Sequence, residues 1–358
     1  MKTIDLRSDT VTLPTDEMRR AMADAECGDD VWEEDPTTQR LEAMAAQRMG
    51  KEAALFTASG TMSNLVATLT WCKRGDEIIV GSESHMFWNE VGGASALGGV
   101  VMRTVPNDPS GRMEAGAVRE AIRRENIHFP STAMLGLENT HNRCSGAVLT
   151  VEHTRDVADV AHHRGIPVHL DGARIFNAAV YLGVPAAELA APVDSVCFCV
   201  SKGLSAPIGS LLCGSRDFVT RARKWRKMVG GGMRQVGIIA AAGIVALETM
   251  VDRLAEDHAN ARRLAIGLAG VPGITVEPEQ MQTNIVIFGW RGDAPEFMRR
   301  LAERGVKSSY VGGPLIRMVT HRHITAQDVD EAVSIVRAVA GGMVVPTLNP
   351  GPPRRGNS

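Results

Sequence analysis

The chain has 358 residues, enough to bury a large core and to build more than one compact lobe. Its 39 basic and 41 acidic side chains are interspersed and leave a net charge of -2, and aromatic residues make up only 4%, so the composition argues against a nucleic-acid surface and against a polybasic membrane anchor.

The N-terminus, M-K-T-I-D-L-R-S-D-T, lacks the apolar stretch of a signal peptide, and no run reaches the length of a membrane span. Six cysteines, Cys27, Cys72, Cys144, Cys197, Cys199 and Cys213, show no C-x-x-C spacing and read as reduced thiols. A soluble cytoplasmic protein is expected. After an extended arm over residues 1–13, a helical pattern runs from about 14 to 24, then comes the loop G-D-D-V-W-E-E-D-P-T-T (28–38) and a helix carrying Leu41, Met44 and Ala45 on one face. Apolar, strand-like runs follow at 53–57, 77–81, 99–105, 133–138, 166–170, 195–200 and 208–213, separated by helical stretches at 61–72, 114–124, 152–164 and 216–228. Strands interleaved with helices predict an α/β fold whose large sheet is mostly parallel and covered on both faces.

From Gly237 the pattern becomes one long helix through I-I-A-A-A-G-I-V-A-L-E-T-M and H-A-N-A-R-R-L-A-I-G-L, predicted to link two lobes. Strands near 274–276, 284–288 and 316–319 alternate with helices at 294–304 and 325–339, which predicts a smaller C-terminal α/β domain. The expected organisation is an arm (1–13), a large domain (14–245), a small domain (246–340) and a disordered Pro/Gly-rich tail (341–358). His162-His163 and His321-x-His323 lack companion carboxylates or cysteines at ligand spacing, so no metal site is expected there.

Two apolar runs end in charged chemistry: V-H-L-D-G-A-R (168–174) and V-C-F-C-V-S-K-G (196–203). Asp171 and Lys202 at the ends of neighbouring buried strands suit pyridoxal phosphate (PLP), the lysine forming a Schiff base and the aspartate keeping the ring nitrogen protonated. The segment A-S-G-T-M-S-N-L (58–65) offers a phosphate site where a strand gives way to a helix, with Gly60 admitting the backbone and Thr61 supplying a hydroxyl and an amide. In K-W-R-K-M-V-G-G-G-M-R-Q (224–235), three glycines precede Arg234 and suit a tight loop that aims a guanidinium at a phosphate, with Lys227 assisting. The preceding basic run, 221–227, otherwise reads as a solvated helix face or a subunit boundary. Arg174 leaves the same strand-end turn as Asp171 and can clamp a carboxylate with two N–H groups, or simply pair locally.

Together, I-D-L-R-S-D-T-V-T, the 28–38 loop, G-T-M-S-N-L, E-N-T-H-N, H-L-D-G-A-R-I-F-N, S-K-G-L-S-A-P-I-G-S and W-R-K-M-V-G-G-G-M-R-Q resemble the threonine aldolase family of fold-type-I PLP enzymes, over residues 3 to about 340. The resemblance implies an aspartate aminotransferase-like fold with a seven-stranded sheet and cleavage of L-threonine, L-allo-threonine and related L-3-hydroxy-α-amino acids to glycine and an aldehyde. It implies that Lys202 carries the cofactor, Asp171 meets its ring nitrogen, His85 stacks on the ring, and Gly60, Thr61 and Arg234 hold the phosphate, Arg234 from an adjacent subunit. The substrate carboxylate would lie between Ser8, Arg174 and Arg317, and His128 in N-I-H-F would lie near the β-hydroxyl, sharing with His85 the role of candidate base. A homodimer or homotetramer with shared sites is implied. The chain departs from the family pattern at Val31-Trp32-Glu33-Glu34, at Ser145 and at Phe87, and Phe87 beside Trp88 leads us to expect a pocket for bulky β-substituents. Other PLP reactions, namely β-elimination, racemisation or transamination, including reactions on aromatic substrates such as phenylserine, are the alternatives, with a non-catalytic PLP-binding protein as a more distant one.

Overall fold

Seven strands build the large sheet: β1 (Ala53–Thr57), β2 (Glu77–Gly81), β3 (Val101–Val105), β4 (Thr132–Glu138), β5 (Val168–Asp171), β6 (Ser195–Cys199) and β7 (Ser210–Gly214). In the computed structural model, which describes residues 2–343, their spatial order is β1-β7-β6-β5-β4-β2-β3. Strands β6, β5, β4, β2 and β3 run parallel in succession, and β7 is antiparallel to both of its neighbours. Every residue of β2, β5, β6 and β7 is buried, the pattern of strands covered on both faces and the reason these runs read as continuous apolar stretches rather than alternations. The seven predicted strand runs all appear, each within two residues of its expected ends.

Helices cover the sheet: among them α1 (Pro36–Met49), α2 (Gly60–Trp71), α3 (Arg216–Met228) and α4 (Gly237–Thr249). α1 begins with Asp35 accepting from the Thr38 amide and Pro36 in its first turn, and it stops at Gly50, whose φ of 62° suits a residue without Cβ. The single long helix expected from Gly237 is instead two, α4 and α5 (Leu254–Ala269), with a break at 250–253. The break lets the chain change cores: Met250 and Leu254 pack in the large cluster around the sheet, whereas Ala261, Leu264 and Leu268 pack in a second cluster with the C-terminal elements.

The second cluster lies against a four-stranded antiparallel sheet built from Ile274–Thr275, β8 (Ile285–Trp290), β9 (Ser309–Gly312) and β10 (Leu315–Val319). The N-terminal arm belongs to this cluster through Ile4 and Leu6, and Ile4–Asp5 pairs in parallel with Val306–Lys307. The last helix spans Ala326–Gly341, one residue into the tail expected at 341–358, and the rest of that expectation, over 344–358, lies outside the described residues. Among the described residues no helix is long and apolar enough to cross a membrane.

Candidate active site

A cavity of about 370 Å³ opens between the two cores, at the C-terminal ends of β4, β5 and β6. Lys202, His85, Arg174, Ser8 and Arg317 all line it, so five of the predicted side chains meet in one cleft although they come from the arm, the large sheet and β10. Lys202 follows β6 after Ser201, and its carbonyl accepts a 2.9 Å bond from the buried Thr12 hydroxyl of the arm. Among the described residues its ammonium has no carboxylate within 4.0 Å, yet its charge is felt by both Asp9 and Asp171.

Asp171 ends β5 and is almost wholly buried. Burial opposes its ionisation, but the positive charges of His85 and Lys202 and a 2.8 Å bond from the Asn64 amide hold its pKa below the usual carboxylate value. Its Oδ1 accepts the Ala173 amide at 3.1 Å, and Gly172 is needed between them because a Cβ there would come within 2.6 Å of the Cys197 carbonyl. His85 starts the short helix after β2; its Nδ1 lies 3.0 Å from Glu90 Oε1 and 4.0 Å from Asp171 Oδ2. Although burial works against the charged ring, the hydrogen bond to Glu90 and the nearby Asp171 raise the His85 pKa. Burial also raises the pKa of Glu90.

The other end of the cleft is cationic. Arg174 is buried and makes two 2.7 Å bonds to Asp9, a pairing across 165 residues and not the local one with Asp171 that its position suggested. Despite burial, the Arg174 guanidinium keeps Asp9 ionised well below the usual range. Arg317 donates to Asn142 Oδ1 at 3.0 Å, the same oxygen that Arg174 approaches at 3.4 Å. Burial and the like charge of Arg174 lower the Arg317 pKa, so this end of the cleft holds one paired and one uncompensated guanidinium, as an anion site requires.

Gly60 and Thr61 open α2, whose Ser59 cap accepts from the Met62 amide, and neither residue is among those that line the cleft. A Cβ at Gly60 would lie 3.0 Å from Cys199 Sγ, which explains the glycine. Arg234 is exposed and paired at 2.9 Å with Asp29 of its own chain, outside the residues lining the cleft. His128 sits on the exposed turn before β4, bonded through its own amide to Asn126. Glu138, which pairs in register with Asp171, ends β4, whereas His128 precedes the start of that strand at Thr132 and is not among the residues that line the cleft. Nor do Phe87 and Trp88 line the cavity: they are 42% and 53% exposed, and Trp88 is covered by the Arg143 guanidinium at 4.6 Å, so the two residues behind the expected pocket for bulky β-substituents stand outside the cleft, where Asn89, Arg143 and Tyr310 line it instead.

The residues that the sequence motifs did not single out are Asp9, Asn64, Glu90, Asn142 and His169. His169 was within reach, because it stands two residues before Asp171 on a strand and must share its face of the sheet. Asn64 lies one turn after Gly60 on α2. The histidine pair 321/323 serves the arm: His321 Nε2 donates to the Asp5 carbonyl at 2.8 Å and His323 Nε2 accepts from the Leu13 amide at 3.0 Å.

The donor set fits PLP: an amine without an acid partner, a buried ionised acid on the adjacent strand, a helix N-terminus and a guanidinium pair. Comparison with known proteins agrees. Residues 5–289 match the family described as Beta-eliminating lyase. The chain is 46% identical over 345 residues to a protein of Arabidopsis thaliana called probable low-specificity L-threonine aldolase 2, covering 93% of this chain and 96% of that one. It is 43% identical over 337 residues to the low specificity L-threonine aldolase of Escherichia coli (strain K12), covering 94% and 98%. In fold it is similar to a threonine aldolase structure from Leishmania major, with a TM-score of 0.81 at 17% identity, covering 94% of this chain and 99% of that one.

Proposed function

The chain belongs to the Beta-eliminating lyase family, and from that membership we propose that it is a PLP-dependent L-threonine aldolase, cleaving L-threonine, L-allo-threonine and related L-3-hydroxy-α-amino acids to glycine and an aldehyde. The observation that carries the reading is the convergence of Lys202, His85 and the Arg174/Arg317 pair on one cleft, with the buried Asp171 4.0 Å behind His85, in a chain that aligns with aldolases over nearly its whole length. Bound PLP supplies an electron sink for the bond broken at Cα.

The remaining work falls to side chains. Lys202 would hold the cofactor, and Asp171, kept ionised by its neighbours, would pair with its ring nitrogen. Arg317, with Ser8 and the Asp9-paired Arg174 beside it, takes the α-carboxylate and so fixes which bond to Cα stands ready to break. His85 takes the β-hydroxyl proton: Glu90 engages Nδ1 and leaves Nε2 as the basic nitrogen. His128 has no part in this step from its own chain. Gly60 and Thr61 receive the phosphate at the start of α2.

Incubation with L-threonine is expected to release acetaldehyde and glycine in equal amounts. Keto acid and ammonia would instead support β-elimination, the reading favoured by the family's description. Lys202→Ala is expected to remove the visible absorbance of the bound cofactor and to lower turnover by orders of magnitude; full activity in that variant would defeat the assignment.

We further propose a homodimer, or a tetramer of two such dimers, in which Arg234 serves the neighbouring phosphate site. In support, Arg234 is 56% exposed in its side chain, Met228 and Ile238 on either side of it in sequence are exposed apolar residues, and its Asp29 tether leads into a loop whose Trp32 is 73% exposed. Loss of activity on dilution to monomer, with Arg234→Ala weakening PLP binding, is the expected result. The six free cysteines, three of them buried, fit the cytoplasmic location we propose.

A further inference from the structure

Beneath the cleft runs a line of polar groups in which almost every donor has one partner. The Trp71 indole N–H donates to Ser195 Oγ at 2.9 Å, and Ser195 Oγ lies 2.9 Å from His169 Nδ1. His169 Nε2 lies 3.0 Å from Asn64 Oδ1, and the Asn64 Nδ2 amide donates both to Asp171 Oδ2 at 2.8 Å and to Glu90 Oε1 at 2.7 Å. Ser195, His169, Asn64 and Asp171 are each 2% exposed or less.

The direction of this line follows from its ends. Two carboxylate oxygens surround Asn64 Nδ2, so that end of the amide is the NH₂, and Oδ1 is the acceptor turned to His169. His169 therefore carries its proton on Nε2. Burial drives its pKa down to about 4, so the ring is neutral and Nδ1 is a lone pair that accepts the Ser195 hydroxyl. All bonds thus run one way, from Trp71 through Ser195 and His169 to Asn64, and end on the two acids, which is the arrangement in which successive bonds polarise one another.

We propose that Asn64 and His169 are positioning residues that hold Asp171 and Glu90 in fixed orientation, and through them set both the ring-nitrogen acid and the His85 base. Asn64 is the hinge, since one amide nitrogen touches the acid that faces the cofactor and the acid that orients His85. His85, Glu90 and Asp171 offer ligand atoms within 4.8 Å of one another, a spacing that would also suit a cation. The Asn64 amide donates one N–H to a carboxylate oxygen of each acid. The proposal rests on the PLP-dependent reading of the cleft.

The test measures PLP binding to the apoprotein, the pH profile of the visible absorbance of PLP bound at Lys202, and threonine kinetics. Asn64→Ala is expected to weaken PLP binding by about tenfold, to shift the midpoint of the absorbance profile by about half a unit or more, and to lower kcat about tenfold or more while KM stays within about threefold. KM is spared because Ser8, Arg174 and Arg317 remain in place. His169→Phe is expected to move the same three readouts in the same direction, and His169→Gln, which keeps a donor toward Asn64, to restore them in large part. If Asn64→Ala is not recovered folded, the isosteric Asn64→Asp and the His169 pair give the same readouts. Unchanged PLP affinity and absorbance profile in the folded variants would overturn the proposal, as would equal effects of His169→Phe and His169→Gln. A wild-type protein that binds PLP but releases no aldehyde from threonine would sink the aldolase reading alone, because the binding and absorbance arms still judge Asn64 and His169.

Discussion

At position 317 a guanidinium sits beside another of the same charge, and only the second has an acid of its own. Replacing Arg317 by Ala should therefore raise KM for the amino acid about tenfold or more with a smaller loss of kcat, read from steady-state kinetics. Asp9 acts differently, because its loss would leave Arg174 buried without a counter-charge. His169 supplies a pH prediction. Its pKa falls from 6.5 in the unfolded chain to about 4 in the fold, so between those values the unfolded state binds the extra proton. Its contribution is complete above pH 6.5 and is lost as pH falls toward 4, by about 3 kcal/mol in all. Urea melts across that range should show a steeper loss of stability in the wild type than in His169→Gln. At this scale Asp171 and Lys202 were legible, each being a lone charge closing an apolar run. Asp9 was not, because its meaning comes from Arg174, distant in the chain.

The basic helix α3 shows how an element can mislead. Its run R-A-R-K-W-R-K reads as a solvated face, and Arg221 and Lys224 are indeed exposed. Arg226 is instead 2% exposed, bonded at 2.6 Å to Asp30 and at 2.8 Å to the Phe56 carbonyl, while Arg223 reaches Glu42 at 3.1 Å. The helix thereby fastens the 28–38 loop against β1. Because a buried charge left alone is costly, Arg226→Ala should destabilise the fold by about 3 kcal/mol or more and lower Tm by several degrees in a thermal melt. Arg221→Ala, which removes an exposed pair with Asp217, a 2.8 Å bond to the Thr70 carbonyl and a contact with the Trp71 ring but leaves no buried charge alone, should lower Tm by less than Arg226→Ala. Periodicity alone cannot separate these two arginines, since both follow helical spacing and only the partner segment, far along the chain, decides which is buried. The strands of the large sheet were easier to read, because burial on both faces writes itself as an unbroken apolar run. β9 and the two-residue pairing of Ile4–Asp5 with Val306–Lys307 carry no such run, and their existence depends on contacts made elsewhere.

On the scale of the whole molecule, the cleft exists because two cores meet there, and the arm crosses from one to the other. Ile4 and Leu6 pack with the C-terminal cluster, Asp9 neutralises Arg174 beside the large sheet, and Thr12 pins the Lys202 carbonyl. The alternation of strands and helices made the large sheet legible, and Ser8 entered through the family resemblance, but the packing of the arm was not legible, because the partners of Ile4 and Leu6 lie at the other end of the sequence. The pairing of Ile4 with Val306 spans about 300 residues, a separation that makes such contacts among the last to form. A nascent chain still on the ribosome already holds the amine at 202, the acid at 171 and the Arg174 partner of Asp9, but Ile4 and Leu6 have nothing to dock on until the final strands emerge. The cleft is therefore walled on its anion-binding side only when the strand carrying Arg317 arrives, late in synthesis.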